Sequence, residues 1–165
     1  METQQDLGKI DVLILADYVL KHYGPMSHLK LQKLLFYCQA YHLAYFQIPL
    51  VDEHFQAWVH GPVCKRVFDA QKDVSILYSD ITFDPSFNAD PDPHFMSSLN
   101  SLQKELVLDV LKQLSIWTGM ELESSTHAEK PWIAARIGYS RAEKCEEIIS
   151  NQMMEEFYAK EMGFA

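Results

Sequence analysis

Leu29-Lys30-Leu31-Gln32-Lys33-Leu34-Leu35-Phe36-Tyr37-Cys38-Gln39-Ala40-Tyr41-His42-Leu43-Ala44-Tyr45 is the stretch that decides the fold. At about 100° per residue, Leu31, Leu34, Leu35, Cys38, Tyr41 and Tyr45 fall on one helical face. Phe36, Ala40, Leu43 and Ala44 cover much of the other side, and Lys30, Gln32, Lys33 and Gln39 are the main interruptions. A helix apolar on most sides must be surrounded, which predicts the central helix of a bundle. Each large side chain gains up to roughly 1.5–3 kcal/mol on full burial. Gly24-Pro25 breaks the chain just before it, and Ser27 stands where an N-cap is needed.

Outward from this rod, the spacing predicts further helices. One runs from about Gly8 to His22, with Ile10, Leu13, Ile14 and Tyr18 at helical intervals. Another covers Ser101 to about Trp117, with Leu102, Leu106, Val107, Val110, Leu111 and Leu114 on one face. Residues 120–127 form a short helix, and Pro131 opens a turn carrying Trp132, Ile133 and Ala135 that ends near Gly138. Ser140 with Glu143 reads as a capping box, starting an amphipathic helix from Arg141 to about Met162. Between the first and second halves, His54–Val59 alternates as a short strand. Pro62 is placed to begin a short helix to about Gln71. Residues 73–98 read as loop because of their Asp and Pro content, with Ile81-Thr82-Phe83 able to pair with the earlier strand. The expectation is a mainly α, single helical domain over residues 1–165, with at most a short two-stranded ribbon and an Asp/Pro-rich loop insertion at 79–98.

Charge narrows the partner classes. Lys plus Arg number 14 against 23 Asp plus Glu, a net charge of −9. That field repels phosphate backbones and anionic membranes, and no basic run offsets it. A protein partner is favoured, ideally a basic one, with no nucleic acid and no membrane. Cys38, Cys64 and Cys145 are odd in number and far apart, so no disulfide framework or metal-ligand spacing is readable. Reduced thiols in a cytoplasmic protein are the plain reading. Residues Met1–Asp11 are polar and acidic, unlike a secretory signal, and the apolar run Val12–Leu15 is far too short to span a bilayer.

Several residues admit two readings. Lys30, Gln32 and Lys33 either reach past the apolar surface to pair with carboxylates at the bundle surface, or orient a docking chain. Trp58 with Gly61, Pro62 and Val63 is either a turn with an indole filling the core or an interface anchor. Cys64, near a helix start and close to His60, has the outline of a nucleophile, but no orienting group or oxyanion site accompanies it. A turn histidine and a small buried thiol are the simpler reading. His127 after Thr126 suits a helix-to-turn junction or a contact. The seven histidines make no HExxH-type pattern, and Asp80–Asp92 lacks the spacing of a calcium loop. No metal, cofactor or catalytic set is expected.

Three stretches together resemble a known family: Leu29–Tyr37 (LKLQKLLFY), Trp58-Val59-His60-Gly61-Pro62-Val63, and Thr126-His127 followed by Pro131-Trp132. In that order they look like the Panacea domain, the SocA-like antitoxin or phage-associated GepA family, from about Asp11 to the C-terminal helix. The resemblance implies an α-helical fold without established catalysis. It also implies a cognate toxin, commonly encoded next door, neutralised by direct contact. One branch is linked to handing the toxin to a protease, so a proteolytic adaptor is the alternative, and a cysteine-dependent enzyme a more distant one. Candidate partner-binding residues are Lys30, Gln32, Lys33, Tyr37, Trp58, His60, His127 and Trp132, with Gly61, Pro62 and Val63 as the structural motif. The insertion at 79–98 and Cys64 after Gly61-Pro62-Val63 depart from the family pattern. No motif specifies the oligomeric state or the binding face.

Overall fold

His28–Phe46 forms the helix around which the chain is arranged. The computed structural model describes residues 6–71 and 79–163. In chain order the elements are α1 (Val12–Tyr23), β1 (Met26–Ser27), α2 (His28–Phe46), β2 (Gln56–Trp58), β3 (Gly61–Val63) and α3 (Lys65–Ala70). They continue with β4 (Asp80–Ile81), α4 (Asp92–Ser98), α5 (Ser101–Leu114), α6 (Gly119–His127), α7 (Lys130–Ala135) and α8 (Asn151–Glu161). The fold is mainly helical, with two small antiparallel two-stranded sheets among the described residues.

Ser27 caps α2 by accepting from the Lys30 amide at 3.1 Å. The helix ends at Gln47, whose φ of 62° is left-handed and whose N–H returns to Leu43 O. Between these ends nearly every side chain is buried, the polar ones included. Packing of α8, α5, α6, α1 and β3 against α2 removes it from solvent.

The polar marks on this rod are stitches to the segments that wrap it. The Gln32 amide donates to Cys64 O and accepts from Cys64 N (3.2 and 2.8 Å). Gln39 accepts from Leu50 N and Val51 N and donates to Val51 O (2.7, 3.1 and 3.1 Å). From α5, Gln103 treats Gly8 in the same way, donating to its carbonyl and accepting from its amide (2.8 and 3.0 Å). Each amide satisfies both sides of a buried backbone group as a neighbouring strand would.

Several elements differ from the sequence expectation. The first helix starts at Val12 rather than Gly8, because the Asp11 carboxylate captures Leu13 N and Ile14 N. Pro62 lies in β3, not at a helix start, and α3 begins only after Cys64. The register Ala57↔Pro62 explains the tolerance. Ala57 turns its N–H to Glu147 O and its carbonyl to Arg136, away from β3, so the missing proline donor costs no ladder bond.

Ile81 pairs with Met26, not with the strand after His54. The other edge of β2 is already taken: Ala57 N donates to Glu147 O and Ile149 N to Phe55 O, both 2.8 Å. The expected helix from Arg141 is therefore replaced by irregular chain, an isolated bridge Gln56↔Ile148, and a helix starting at Asn151. Half of the predicted capping box exists, Ser140 N donating to Glu143 at 3.0 Å, but no helix follows.

Of the expected loop at 73–98, residues 73–78 lie outside the described residues. Within the remainder, α4 forms and places Phe95 in a stacked pair with Tyr18 (3.9 Å, 12°). Lys21 and His22 bind Asp92 at 2.7 Å, so the acidic segment is moored to α1.

Candidate partner-binding surface

Lys33 is the origin of the site. Its side chain is fully buried and donates to Pro62 O at 2.9 Å. Burial lowers the ammonium pKa to about 7, against the attraction of Glu123. Gly61 makes room for it. A Cβ there would stand 2.5 Å from Lys33 Cε and 2.9 Å from Thr126 Oγ1, and φ is +98°. Both space and backbone therefore demand glycine.

Val59 and His60 connect β2 to β3 as a two-residue turn. His60 Nδ1 lies 2.7 Å from Glu123 Oε1, tying the turn to α6. Trp132 donates its indole N–H to Trp58 O at 2.8 Å. His127 stacks on Trp132 (4.0 Å, 20°), and the Arg136 guanidinium sits over the same ring at 5.1 Å. Burial lowers the His127 pKa, its nearest carboxylate being Glu123 at 3.9 Å. Arg136 itself is buried and donates to Ala57 O, Ser140 O and Glu143 O (2.8, 2.9 and 2.6 Å). One guanidinium thus fixes the hairpin against the 140–143 segment.

Above this node an open groove of about 520 Å³ runs between the hairpin, α3 and residues 142–146. Trp58, Val59, Val63 and Phe68 form one side, with Trp58 edge-on to Phe68 at 4.8 Å. Cys145 and Ala142 form the other, and Lys65, Lys144 and Glu146 supply charge. An apolar cleft with a few charged groups has the character of a recognition surface.

The candidates from sequence separate into two groups. Lys30, Trp58, His60 and His127 keep partial exposure, whereas Gln32, Lys33, Tyr37 and Trp132 are buried. Lys33, Trp58, His60, Gly61, Pro62, His127 and Trp132 converge on the node, with Val63 on the groove side. Gln32 instead holds Cys64, and Lys30 donates to Ser115 O. Tyr37 donates to Glu129 (2.6 Å) and accepts from the Ser125 hydroxyl (2.9 Å), and Tyr158 also donates to Glu129 (3.0 Å). Burial raises the Glu129 pKa against these two donors, and raises those of both tyrosines.

Cys64 is fully buried and burial raises its thiol pKa; His60 is engaged with Glu123. A nucleophile needs the thiolate, which this environment disfavours. Cys38 is likewise buried, its pKa pushed up to about 12. Among the described residues no group of three His, Cys, Asp or Glu is placed to hold a metal, and no helix is long and apolar enough to cross a membrane.

Sequence reasoning missed Arg136, Glu123, Phe68 and Lys144. Arg136 carried a faint signal, being the one cation in an apolar turn beside Trp132. The others become partners only through contacts distant in sequence.

The chain matches a family described as antitoxin SocA-like, Panacea domain, over residues 31–133. The match includes α2 from Leu31, the hairpin, α6 and Trp132, and stops short of residues 142–146. No match to the chain was found among curated proteins or among solved structures.

Proposed function

We propose, from the premise that the chain belongs to the SocA-like antitoxin Panacea family, that it binds a cognate toxin and neutralises it by direct complex formation. The carrying observation is the convergence of the family's three sequence stretches beneath one apolar groove. Lys33, Gly61, Thr126 and Trp132 are spent on holding the Trp58–Val63 hairpin rigid. That rigidity lets a surface hold its shape before the partner arrives, which lowers the entropic cost of docking. Trp58 and Phe68 are the natural anchors, since aromatic side chains in a desolvating cleft dominate interface energetics. The net charge of −9 steers a basic partner to the surface. The reading places the protein in the cytoplasm, where a toxin of its own cell would act.

Co-expression with the product of the adjacent reading frame tests this. The expected result is rescued growth and a co-eluting complex, with Trp58→Ala and Phe68→Ala each weakening the complex at least tenfold while leaving the circular dichroism spectrum intact. A toxin bound equally well by both variants would move the interface away from the groove, and no complex at all would remove the function. Delivery to a protease is the second reading, since it needs a further docking surface beside the groove. Toxin half-life in cells separates the two: occlusion leaves it unchanged and delivery shortens it.

A further inference from the structure

A second cavity, of about 460 Å³, opens where the C-terminal half of α2 meets α5 and the end of α8. It shares no residue with the hairpin groove. Tyr41 and Tyr45 contribute aromatic surface, Val110 and Leu114 an apolar floor, and Asp109 and Glu161 carboxylates from two different helices. No Lys, Arg or His lines it, and among the described residues neither carboxylate has a cationic partner. Neutral aromatic rings, an aliphatic floor and two carboxylates together complement a long side chain ending in a positive charge.

The geometry points to a receptor in this cavity for one arginine or lysine side chain of a protein partner, held between the rings of Tyr41 and Tyr45 and the carboxylates of Asp109 and Glu161. The Tyr41 ring keeps its neutral, electron-rich face at physiological pH, since burial, Glu129 and Glu161 hold its phenol up at about 12. Tyr41 is further fixed by edge contact with Tyr158 (5.3 Å) and by stacking with Tyr37 (6.0 Å), so its face is presented without losing rotamer freedom on binding. The inference rests on the partner-binding reading only for the source of the cation.

The test titrates N-acetyl-arginine N-methylamide into the full-length, isotopically labelled chain and follows backbone amide shifts. The expected result is saturable, millimolar binding with the largest shifts at Tyr41, Tyr45 and Asp109. The neutral isostere N-acetyl-citrulline N-methylamide should fail to bind. Asp109→Asn combined with Glu161→Gln should weaken binding at least fivefold, and both side chains are exposed at the surface, so the fold should survive. Absence of saturation, equal binding of the citrulline probe, or an unaffected double variant would each overturn the inference. So would tenfold tighter binding of spermidine, which would assign the cavity to a free polyamine. A toxin complex that forms in the absence of any probe response defeats this inference alone. A clear probe response without a toxin complex defeats the proposed function alone.

Discussion

His28 and His42 lie at opposite ends of α2 and solve one problem to different degrees. Both are fully buried, and both accept a hydrogen bond at Nε2 from a glutamine amide, Gln32 and Gln103 respectively, at 2.9 Å. That acceptor role puts the neutral proton on Nδ1 in each ring. At His42 this proton is donated to Ile48 O at 2.8 Å. At His28 it has no partner among the described residues, and the ring is held instead by stacking over Phe68 at 5.6 Å. Burial lowers both pKa values to about 4, with Lys33 adding repulsion at His28 and the Ile48 bond acting in the opposite sense at His42. The lesson is that a buried histidine tolerates an incomplete shell if it is never asked to carry charge.

Acid breaks both ends at once and gives the largest expected effect. The unfolded chain binds a proton at each histidine near pH 6.5, the folded chain only near 4, so stability is present above 6.5 and is lost as pH falls toward 4. Each ring contributes on the order of 3 kcal/mol to that loss. Glu129, whose pKa burial raises, runs the other way and softens the acid limb. Urea midpoints at pH 7, 5 and 4 should therefore fall steeply in the wild type and much less in a His28→Phe/His42→Phe double variant.

Removing one glutamine comes next. Gln103→Leu strands Gly8 N, Gly8 O, Asn100 N and His42 Nε2 together, costing about 4 kcal/mol in chemical denaturation at pH 7.5. Gln32→Leu strands the two Cys64 groups and His28 and should cost about 1 kcal/mol less. Equal losses would show that the completeness of the shell does not matter.

Lys33, the other buried titrating group at the His28 end, gives a smaller effect of opposite window. Its folded pKa of about 7 lies below the unfolded 10.5, so stability rises with pH above 7. A gain of about 2 kcal/mol is expected between pH 7 and 8.5, and Lys33→Met should abolish the slope. The subtlest test compares the single histidine variants at pH 7.5. His42→Phe leaves Ile48 O and a Gln103 donor unpaired, whereas His28→Phe leaves one Gln32 donor and removes an orphan. His42→Phe should be the costlier by about 1 kcal/mol.

How far these features were legible in the sequence depends on the range over which each is decided. The rod Leu29–Tyr45 and its cap at Ser27 were readable because period and capping are local. The mainly helical fold followed from them, and the family resemblance from that rod taken together with Trp58–Val63 and with Thr126-His127 and Pro131-Trp132. The direction of the polar marks was not readable: Gln32 and Lys33 look like surface interruptions until Cys64 and Pro62 are brought against them. The 141–150 segment was misread for a similar reason. Cys145, Ile148 and Ile149 suit an amphipathic helix, but Ala57 and Phe55 offer that stretch an open strand edge, and Arg136 gathers its carbonyls. The groove was half legible, its Trp58–Val63 side lying in a quotable motif and its far side not.

That far side has a consequence of its own. Residues 142–146 fall beyond the span the family match covers, yet they complete the cleft whose footing that span builds. On the proposed reading, the footing of the cleft and part of its lining therefore lie in different portions of the chain. On that reading, exchanging the side chains of residues 142–146 would alter the cleft while the backbone bonds from Arg136 and Ala57 keep its footing, so that a different target is reached by editing a short strip rather than by refolding the domain.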